Sequence, residues 1–206
     1  MELIKKYFPK ITENQKEQFA QLDGLYKDWN SKINLISRKD IDNLYEKHIL
    51  HSLGIAEVIQ FKDNSSIMDV GTGGGFPGIP LAILFPNVQF LLLDSIGKKV
   101  KVAEDIASQI HLKNVECCHA RVENEARKFD FIVSRAVMPL SDLVNISKKN
   151  ILKQQQNALP NGFLCLKGGD LQSELRVFKN KVIQYNLQDY FEEEFFETKK
   201  VIYLPV

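Results

Sequence analysis

The chain has 206 residues, of which 44% are apolar, and these proportions fit one ordinary globular unit with a buried core. Its 27 basic and 26 acidic side chains almost cancel, so the overall charge neither indicates nor excludes a polyanionic partner. The odd number of cysteines excludes a complete disulfide framework, and the lack of a signal core or of about 18 consecutive apolar residues leads us to expect a cytoplasmic protein with no membrane partner.

Two amphipathic helices are predicted before the first strand. Thr12 and Gln15 have the spacing of a capping box, and apolar residues then recur at helical intervals from Phe19 to Ile33. A second helix is predicted to begin near Asp40 and to carry an apolar face as far as Leu53. We expect residues 1–60 to form a helical cap that packs on a core domain of residues 61–206.

Short apolar runs alternate with helical segments from Ser66 onward, which is typical of βαβ units on a parallel sheet. We therefore expect an α/β fold with a seven-stranded, mostly parallel sheet. The last two strands have no helix between them and are predicted to pair as an antiparallel hairpin through residues 197–200. The predicted strands are 67–70, 88–93, 115–118, 129–133, 163–166, 191–196 and 201–204, and the predicted helices between them are 79–85, 98–110, 143–159 and 171–185.

A glycine-dense turn follows the first predicted strand. Its glycines let the main chain come close to a ligand, and the N–H groups of such a turn bind polar or anionic groups. A dinucleotide fingerprint that begins at Gly71 requires glycine at its sixth position, where the chain has Phe76. A match that begins at Gly73 lies two residues late and carries Pro77 where the helix should open.

The alternative frame, acid-x-Gly-x-Gly-x-Gly, begins at Asp69 and fits without a gap. It is typical of enzymes that bind S-adenosylmethionine. Asp94 closes the next strand, where a carboxylate would accept hydrogen bonds from the ribose hydroxyls of either cofactor. The frame and the terminal hairpin favour S-adenosylmethionine, while a nicotinamide oxidoreductase and a non-catalytic cofactor sensor remain alternatives.

Missing motifs narrow the choice of methyl acceptor. Exocyclic amines usually require an Asn/Asp-Pro-Pro-aromatic turn after the fourth strand, where this chain reads Ser134-Arg135-Ala136-Val137. The cysteines have no neighbouring proline of the kind that marks a pyrimidine C5 nucleophile, and His48 and His51 have no third partner for a metal.

A ring nitrogen such as guanine N7 needs no general base, because its lone pair carries no proton. An arginine bound to O6 and N7 of guanine would occupy that lone pair. Arg135 is therefore predicted to hold the cofactor's carboxylate or an RNA phosphate. A small-molecule methyltransferase remains an alternative.

Several motifs occur together in one order and resemble the glucose-inhibited division protein B family, bacterial guanine-N7 methyltransferases of small-subunit ribosomal RNA. The resemblance covers nearly the whole chain, and Pro77-Gly78-Ile79-Pro80 is its most specific part. It implies a Rossmann-like class I methyltransferase fold with an N-terminal helical extension, S-adenosyl-L-methionine as cofactor, and a loop of 16S ribosomal RNA as the partner of a monomer. The motifs are 27–30 with 34–35, 48–52, 69–80, 92–95, 120–123, 134–136 and 166–168.

The resemblance also implies roles for individual residues. No side chain is required as a general base, and Arg135 and Lys167 are expected to have positioning roles. Positions at the active-site mouth or facing RNA are implied for Asn30, Arg38, His48 and Lys167. Cofactor contacts are implied for Gly71, Gly73 and Phe76 in the turn, Asp94 on the ribose, Val122 and Glu123 beside the adenine, and Arg135 at the reactive end.

Overall fold

A computed structural model describes residues 1–33, 35–37 and 39–206. Its strands are β1 (Ser66–Val70), β2 (Gln89–Asp94), β3 (Val115–His119), β4 (Phe131–Arg135), β5 (Gly162–Gly168), β6 (Ile183–Asn186) and β7 (Lys199–Pro205). They form one seven-stranded sheet in the order β3-β2-β1-β4-β5-β7-β6. The first five strands are parallel, and β7 is antiparallel to both β5 and β6. The predicted α/β fold, with its mostly parallel sheet and antiparallel end, is confirmed.

Helices lie between the strands and before the first one. A π-helical turn, Tyr45–Leu50, precedes α3 directly. In the described part of the chain, no helix is both long and apolar enough to cross a membrane. The α-helices are α1 (Glu2–Tyr7), α2 (Glu13–Lys32), α3 (His51–Val58), α4 (Gly78–Leu84), α5 (Gly97–Gln109), α6 (Leu140–Ser147) and α7 (Gln172–Leu175), and 3-10 turns cover 41–43, 122–124, 148–150, 176–181, 187–189 and 194–196.

Apolar layers cover both faces of the sheet. Helices α2, α3, α4 and α5 contribute to the first layer, and α6 and α7 contribute to the second. Successive residues of a strand point to opposite faces. In β4, Phe131 and Val133 therefore join the first layer and Ile132 the second. By the same alternation, Arg135 at the end of β4 lies on the side of the N-terminal helices.

Helix α2 is fixed to the domain by its first turn. The predicted capping box is present, since Thr12 N–H donates to Gln15 Oε1 at 2.8 Å and Thr12 Oγ1 accepts from Gln15 N–H. The amide of Gln15 also donates to the Ile83 carbonyl at 2.8 Å, and Gln18 donates to the Ile110 carbonyl at 2.9 Å. These buried bonds link α2 to the ends of α4 and α5.

The prediction of a strand at residues 191–196 was wrong. Phe191 and Phe196 instead pack on each other with ring centroids 4.6 Å apart, and Tyr7 contacts Phe191 edge-on. Strand β6 overlaps the end of the predicted helix 171–185, which is α-helical only as far as Leu175. Residues 187–198 therefore join the antiparallel strands β6 and β7. The hairpin turn predicted at 197–200 is absent from the described chain.

The predicted helix 143–159 was also too long. Helix α6 begins at Leu140, and the helical stretch ends at Asn150. The buried Asn150 amide donates to the carbonyls of Glu125 and Arg127 at 2.9 and 2.7 Å. These bonds stop the helix where the chain turns back toward β5.

Candidate active site

A buried side chain, that of Asp69, holds the glycine turn after β1 in place. Asp69 is fully buried, and its Oδ2 accepts from Thr72 Oγ1 at 2.7 Å and from Gly78 N–H at 2.8 Å. Gly71 and Gly73 have φ angles of +68° and +58°, in the left-handed region that side chains other than glycine rarely adopt. Asp69 thus joins the turn to the first residue of α4. The main chain of the turn faces a cleft of about 530 Å³.

Asp94 closes β2 at the edge of this cleft. It is 6% exposed, and each of its carboxylate oxygens already accepts one backbone bond, Oδ2 from Gly73 and Oδ1 from Ile96, both at 2.9 Å. A carboxylate has about four acceptor positions, so one on each oxygen remains for a ligand. This arrangement suits a pair of vicinal hydroxyl groups, which are donors.

Apolar side chains form part of the cleft wall near Asp94. Val122 and Glu123 begin the 3-10 turn after β3, and Val122 is buried beneath the cleft. Ile96 is 48% exposed, although it lines the cleft. Large exposed apolar side chains in a cleft are typical of surfaces that a flat ligand covers.

Arg135 lies at the opposite end of the cleft, at the end of β4. Its guanidinium lies over the ring of Phe76, 4.8 Å from the centroid, and its Nη2 lies 3.0 Å from His48 Nδ1. Its Nη1 donates to the Lys47 carbonyl at 3.4 Å. Because Lys47 and His48 belong to the π-helical turn, this irregular turn supplies both polar partners of the arginine.

Burial changes the protonation of this end of the cleft. It lowers the pKa of Arg135 to about 10, and with the added charge of Arg135 it lowers the pKa of His48 to about 3. Burial also raises the pKa of Asp69 to about 7, against the hydrogen bonds from Thr72 and Gly78. Near neutral pH, the fixed positive charge of this region is therefore the guanidinium, beside a neutral imidazole.

The segment after β4 lies beside Arg135 in the cleft wall. Ala136, Val137 and Met138 line the cleft beside Arg135. Ala136 has a φ of +51°, and the Val137 side chain lies directly on Gly71, where a Cβ would meet it at 2.5 Å. In this segment the only titratable side chain next to the cleft is that of Arg135, which can donate but not accept a hydrogen bond.

Lys167 and Asn30 lie behind residues that line the cleft. Lys167 Nζ donates to the Met138 carbonyl at 2.9 Å and pairs with Glu174 at 2.8 Å. Asn30 Oδ1 accepts from the N–H groups of Leu35 and Ile36 at 3.0 and 2.9 Å, and both of these residues line the cleft.

The structure thus brings most of the sequence-predicted residues together. His48 reaches the cleft through Arg135, Arg38 lies outside the described residues, and the ligand contacts of every position remain predictions. Nothing in the sequence assigned a role to Leu35, Ile36, Ile96 and Val137, which line the cleft, or to Glu174 behind it, because apolar side chains and distant ion pairs carry no signal of their own. The predicted cofactor residues that line the cleft are Gly71, Gly73, Phe76, Asp94, Val122, Glu123 and Arg135.

Comparison with a solved structure shows which fold this is. An S-adenosylmethionine-dependent methyltransferase from Aquifex aeolicus has the same fold, with a TM-score of 0.56 over 83% of this chain and 100% of that chain at 17% identity. A glycine turn after β1, an acid after β2 and an antiparallel β7 are features of the class I S-adenosylmethionine-dependent methyltransferases. The chain therefore has the fold of this class.

Sequence comparison then defines the family. The family model for rRNA small subunit methyltransferase G matches residues 15–202. Two proteins named ribosomal RNA small subunit methyltransferase G, from Bacteroides thetaiotaomicron and Phocaeicola vulgatus, are 65% and 66% identical over 206 residues. Each match covers 100% of this chain, and 100% and 99% of the two relatives. The chain belongs to the rRNA small subunit methyltransferase G family, which confirms the resemblance found in its motifs and S-adenosylmethionine as the cofactor.

The geometry of the cleft fits this cofactor. A Cβ built on Gly73 would meet no protein atom within 4 Å, so the turn leaves space for a ligand against its main chain. Asp94 offers acceptors for ribose hydroxyls, and Ile96 and Val122 offer apolar surface for an adenine. At the other end, the Arg135 guanidinium would attract the carboxylate of the amino-acid portion.

Proposed function

We propose that this protein transfers the methyl group of S-adenosylmethionine to N7 of a guanosine in a loop of 16S ribosomal RNA. The observation that carries the choice of atom is the segment after β4, which presents Arg135, Ala136, Val137 and Met138 to the cleft and no proton acceptor among their side chains. Guanine N7 attacks with a lone pair that holds no proton, so the reaction needs no proton acceptor. The ribosomal substrate rests on the family.

The residues of the chain have binding and positioning tasks in this proposal. When bound, S-adenosylmethionine supplies a methyl group on a positively charged sulfur. Gly71 and Gly73 would hold the amino-acid and ribose portions with the main chain, Asp94 the ribose hydroxyls, and Val122 and Glu123 the adenine. Alignment of nucleophile and methyl group, and exclusion of water, then account for most of the acceleration in such a displacement.

Arg135 is assigned to the cofactor's carboxylate or to an RNA phosphate. Contact with the guanine edge would place a donor on the attacking lone pair and a positive charge beside a ring that becomes cationic. His48 and Lys47 hold the guanidinium on the side of the N-terminal helices. This placement leaves the acceptor side of the cleft to small apolar side chains.

The N-terminal residues are part of the same unit in this proposal. We treat residues 1–60 as a cap and 61–206 as the methyltransferase domain of a cytoplasmic monomer. The cap supports the site directly, since Tyr26 donates its hydroxyl proton to the Gly74 carbonyl at 2.8 Å and stacks on Phe76 at 4.6 Å. A guanine that reaches this cleft must be unpaired, because chemistry on a base requires that it leave its stack.

The acceptor can be tested with purified components. The protein is incubated with methyl-labelled S-adenosylmethionine and, separately, with small ribosomal subunits from cells that lack this protein, with their extracted 16S RNA, and with a mixture of small metabolites. We expect label in the subunits or their RNA and none in the metabolites. Label in a metabolite and none in either RNA sample would make the protein a small-molecule methyltransferase instead.

A further inference from the structure

A buried ion pair holds the segment that forms the reactive end of the cleft. Lys167 Nζ and Glu174 Oε1 are 2.8 Å apart, with side chains only 11% and 21% exposed. The same lysine donates to the Met138 carbonyl at 2.9 Å, and the same carboxylate oxygen accepts from the Leu140 N–H at 2.6 Å. Both partners thus bind the main chain of one segment, residues 136–140.

The segment needs such support because of its backbone. Ala136 has a φ of +51°, which is unfavourable for a residue with a Cβ and persists only where its surroundings fix it. Its neighbour Val137 is pressed against Gly71 and is still 38% exposed to the cleft. A shift of the segment would therefore move the surface that an acceptor base meets.

The topology places the ion pair where it can act on this segment. Arg135 pairs with Leu166 in the β4–β5 register, so Lys167 lies one residue beyond the end of β4. Arg135 faces the N-terminal helices, whereas Lys167 lies on the opposite face, toward Glu174 at α7. The two strand ends thus fix the segment from opposite sides of the sheet.

We propose that Lys167 and Glu174 are positioning residues for methyl transfer, which hold residues 136–140 in the geometry that admits the acceptor base. This inference rests on the proposed function and assigns Lys167 a role other than an RNA contact. The lysine is mostly buried, its charge is neutralised by Glu174, and two of its three N–H donors already bind Glu174 and the Met138 carbonyl, so it is poorly placed to bind a phosphate. Removing one member of a buried pair leaves the other charge uncompensated, so the two residues should act as a unit.

The test uses the full chain with Lys167→Ala, Glu174→Ala, the double variant and Lys167→Arg. Lys200→Ala is the matched control, because Lys200 lies opposite Lys167 in the β5–β7 register and its amine binds Gln184 rather than the segment. The measurements are kcat and KM for 16S RNA, the Kd for S-adenosylmethionine, the salt dependence of RNA binding, and hydrogen exchange of residues 137–140. All are made at a temperature at which each variant is folded.

We expect kcat to fall by about tenfold or more in each single variant, since small misplacements near a reacting centre have effects of this size. The kcat of the double variant should be within about threefold of that of each single variant, because the two residues share one interaction. In Lys167→Ala and Glu174→Ala, hydrogen exchange should rise at residues 137–140. The Kd for S-adenosylmethionine and the salt dependence of RNA binding should stay within about twofold of the parent values. Lys167→Arg should retain most of the activity.

The opposite pattern would overturn the inference. If Lys167 is a phosphate ligand, Lys167→Ala will weaken RNA binding with a shallower salt dependence and Glu174→Ala will leave kcat unchanged. Unaltered hydrogen exchange at residues 137–140 in both variants would also exclude the positioning role. A parent protein that methylates no RNA would instead count against the proposed function, and the exchange measurement would still decide whether the ion pair fixes the segment.

Discussion

Arg135 and His48 form a polar contact of 3.0 Å between Nη2 and Nδ1, although 86 residues separate them in the chain. A guanidinium has only donors, so His48 Nδ1 must accept and the imidazole is neutral with its proton on Nε2. Burial and the charge of Arg135 lower the pKa of His48 to about 3, which agrees with this tautomer. The contact joins the end of β4 to the π-helical turn before α3.

Removing the acceptor at position 48 should impair catalysis. His48→Phe keeps a ring beside Phe76 but leaves Arg135 Nη2 without its partner, so we expect methyl transfer to fall by about tenfold through misplacement of the guanidinium. His48→Asn is the matched control, because Asn Oδ1 lies close to the position of Nδ1 and accepts the same bond. The activity of both variants is measured as steady-state methylation of 16S RNA. Full activity of His48→Phe would disprove this role of His48.

Loss of the Asp94 carboxylate should weaken cofactor binding. In Asp94→Ala the ribose hydroxyls lose their acceptor and the Gly73 N–H loses its partner. We expect the free energy of S-adenosylmethionine binding to become less favourable by about 1.5–3 kcal/mol, the usual value of a hydrogen bond to a charged group. Calorimetry measures the change. Asp63→Ala is the control: it removes an exposed carboxylate before β1 and should bind S-adenosylmethionine as the parent does. An unchanged Kd in Asp94→Ala would place Asp94 outside the site.

A methyl group at Gly73 should block the cleft without unfolding the protein. The Cβ of Gly73→Ala meets no protein atom, so the stability cost should be only the roughly 1–2 kcal/mol of a left-handed alanine. Cofactor affinity should nevertheless fall by more than about tenfold, since the main chain can no longer approach the ligand. Gly24→Ala in α2, where a Cβ also meets nothing, is the control and should stabilise the helix by about 0.5–1 kcal/mol. Normal affinity in Gly73→Ala would mean that the ligand does not contact this turn.

His51 should make the protein less stable in acid. Burial holds its pKa well below the usual 6.5, so it stays neutral when folded and binds a proton below about pH 6.5 only when unfolded. Its contribution to stability is therefore complete above pH 6.5 and is lost as the pH falls. Between pH 7.5 and 5.5 the free energy of unfolding should drop by roughly 1 kcal/mol because of His51, the linkage effect of one proton bound by the unfolded chain only.

His51→Gln should remove this part of the acid sensitivity. Asp69, whose pKa is raised to about 7, changes stability in the opposite direction over the same range, so the quantity to compare is the pH-dependent drop in variant and parent. Urea unfolding at the two pH values measures it. An equal drop in His51→Gln and in the parent would show that His51 is not held neutral.

Local patterns were sufficient to predict the parts of the site that depend on neighbouring residues. The capping box of α2, the frame from Asp69 to Gly75 and the acid after β2 are each written within a few residues of chain. The parts that could not be predicted depend on distant partners. Glu174 meets Leu140 across 33 intervening residues, and the aromatic packing of residues 191–196 replaces a strand that their composition favours. The π-helical turn is of the same kind, because the group that donates to its Lys47 carbonyl is the Arg135 guanidinium at the end of β4.

The most direct test of the account identifies the methylated atom itself. Small-subunit RNA from cells that lack this protein is methylated with the purified enzyme, digested to nucleosides and analysed by mass spectrometry, and the position is located by strand cleavage specific for 7-methylguanosine. We expect 7-methylguanosine at a single loop nucleotide, and none in the reaction with Gly73→Ala. Label that appears instead in an exocyclic amine, a ribose or a pyrimidine would contradict it.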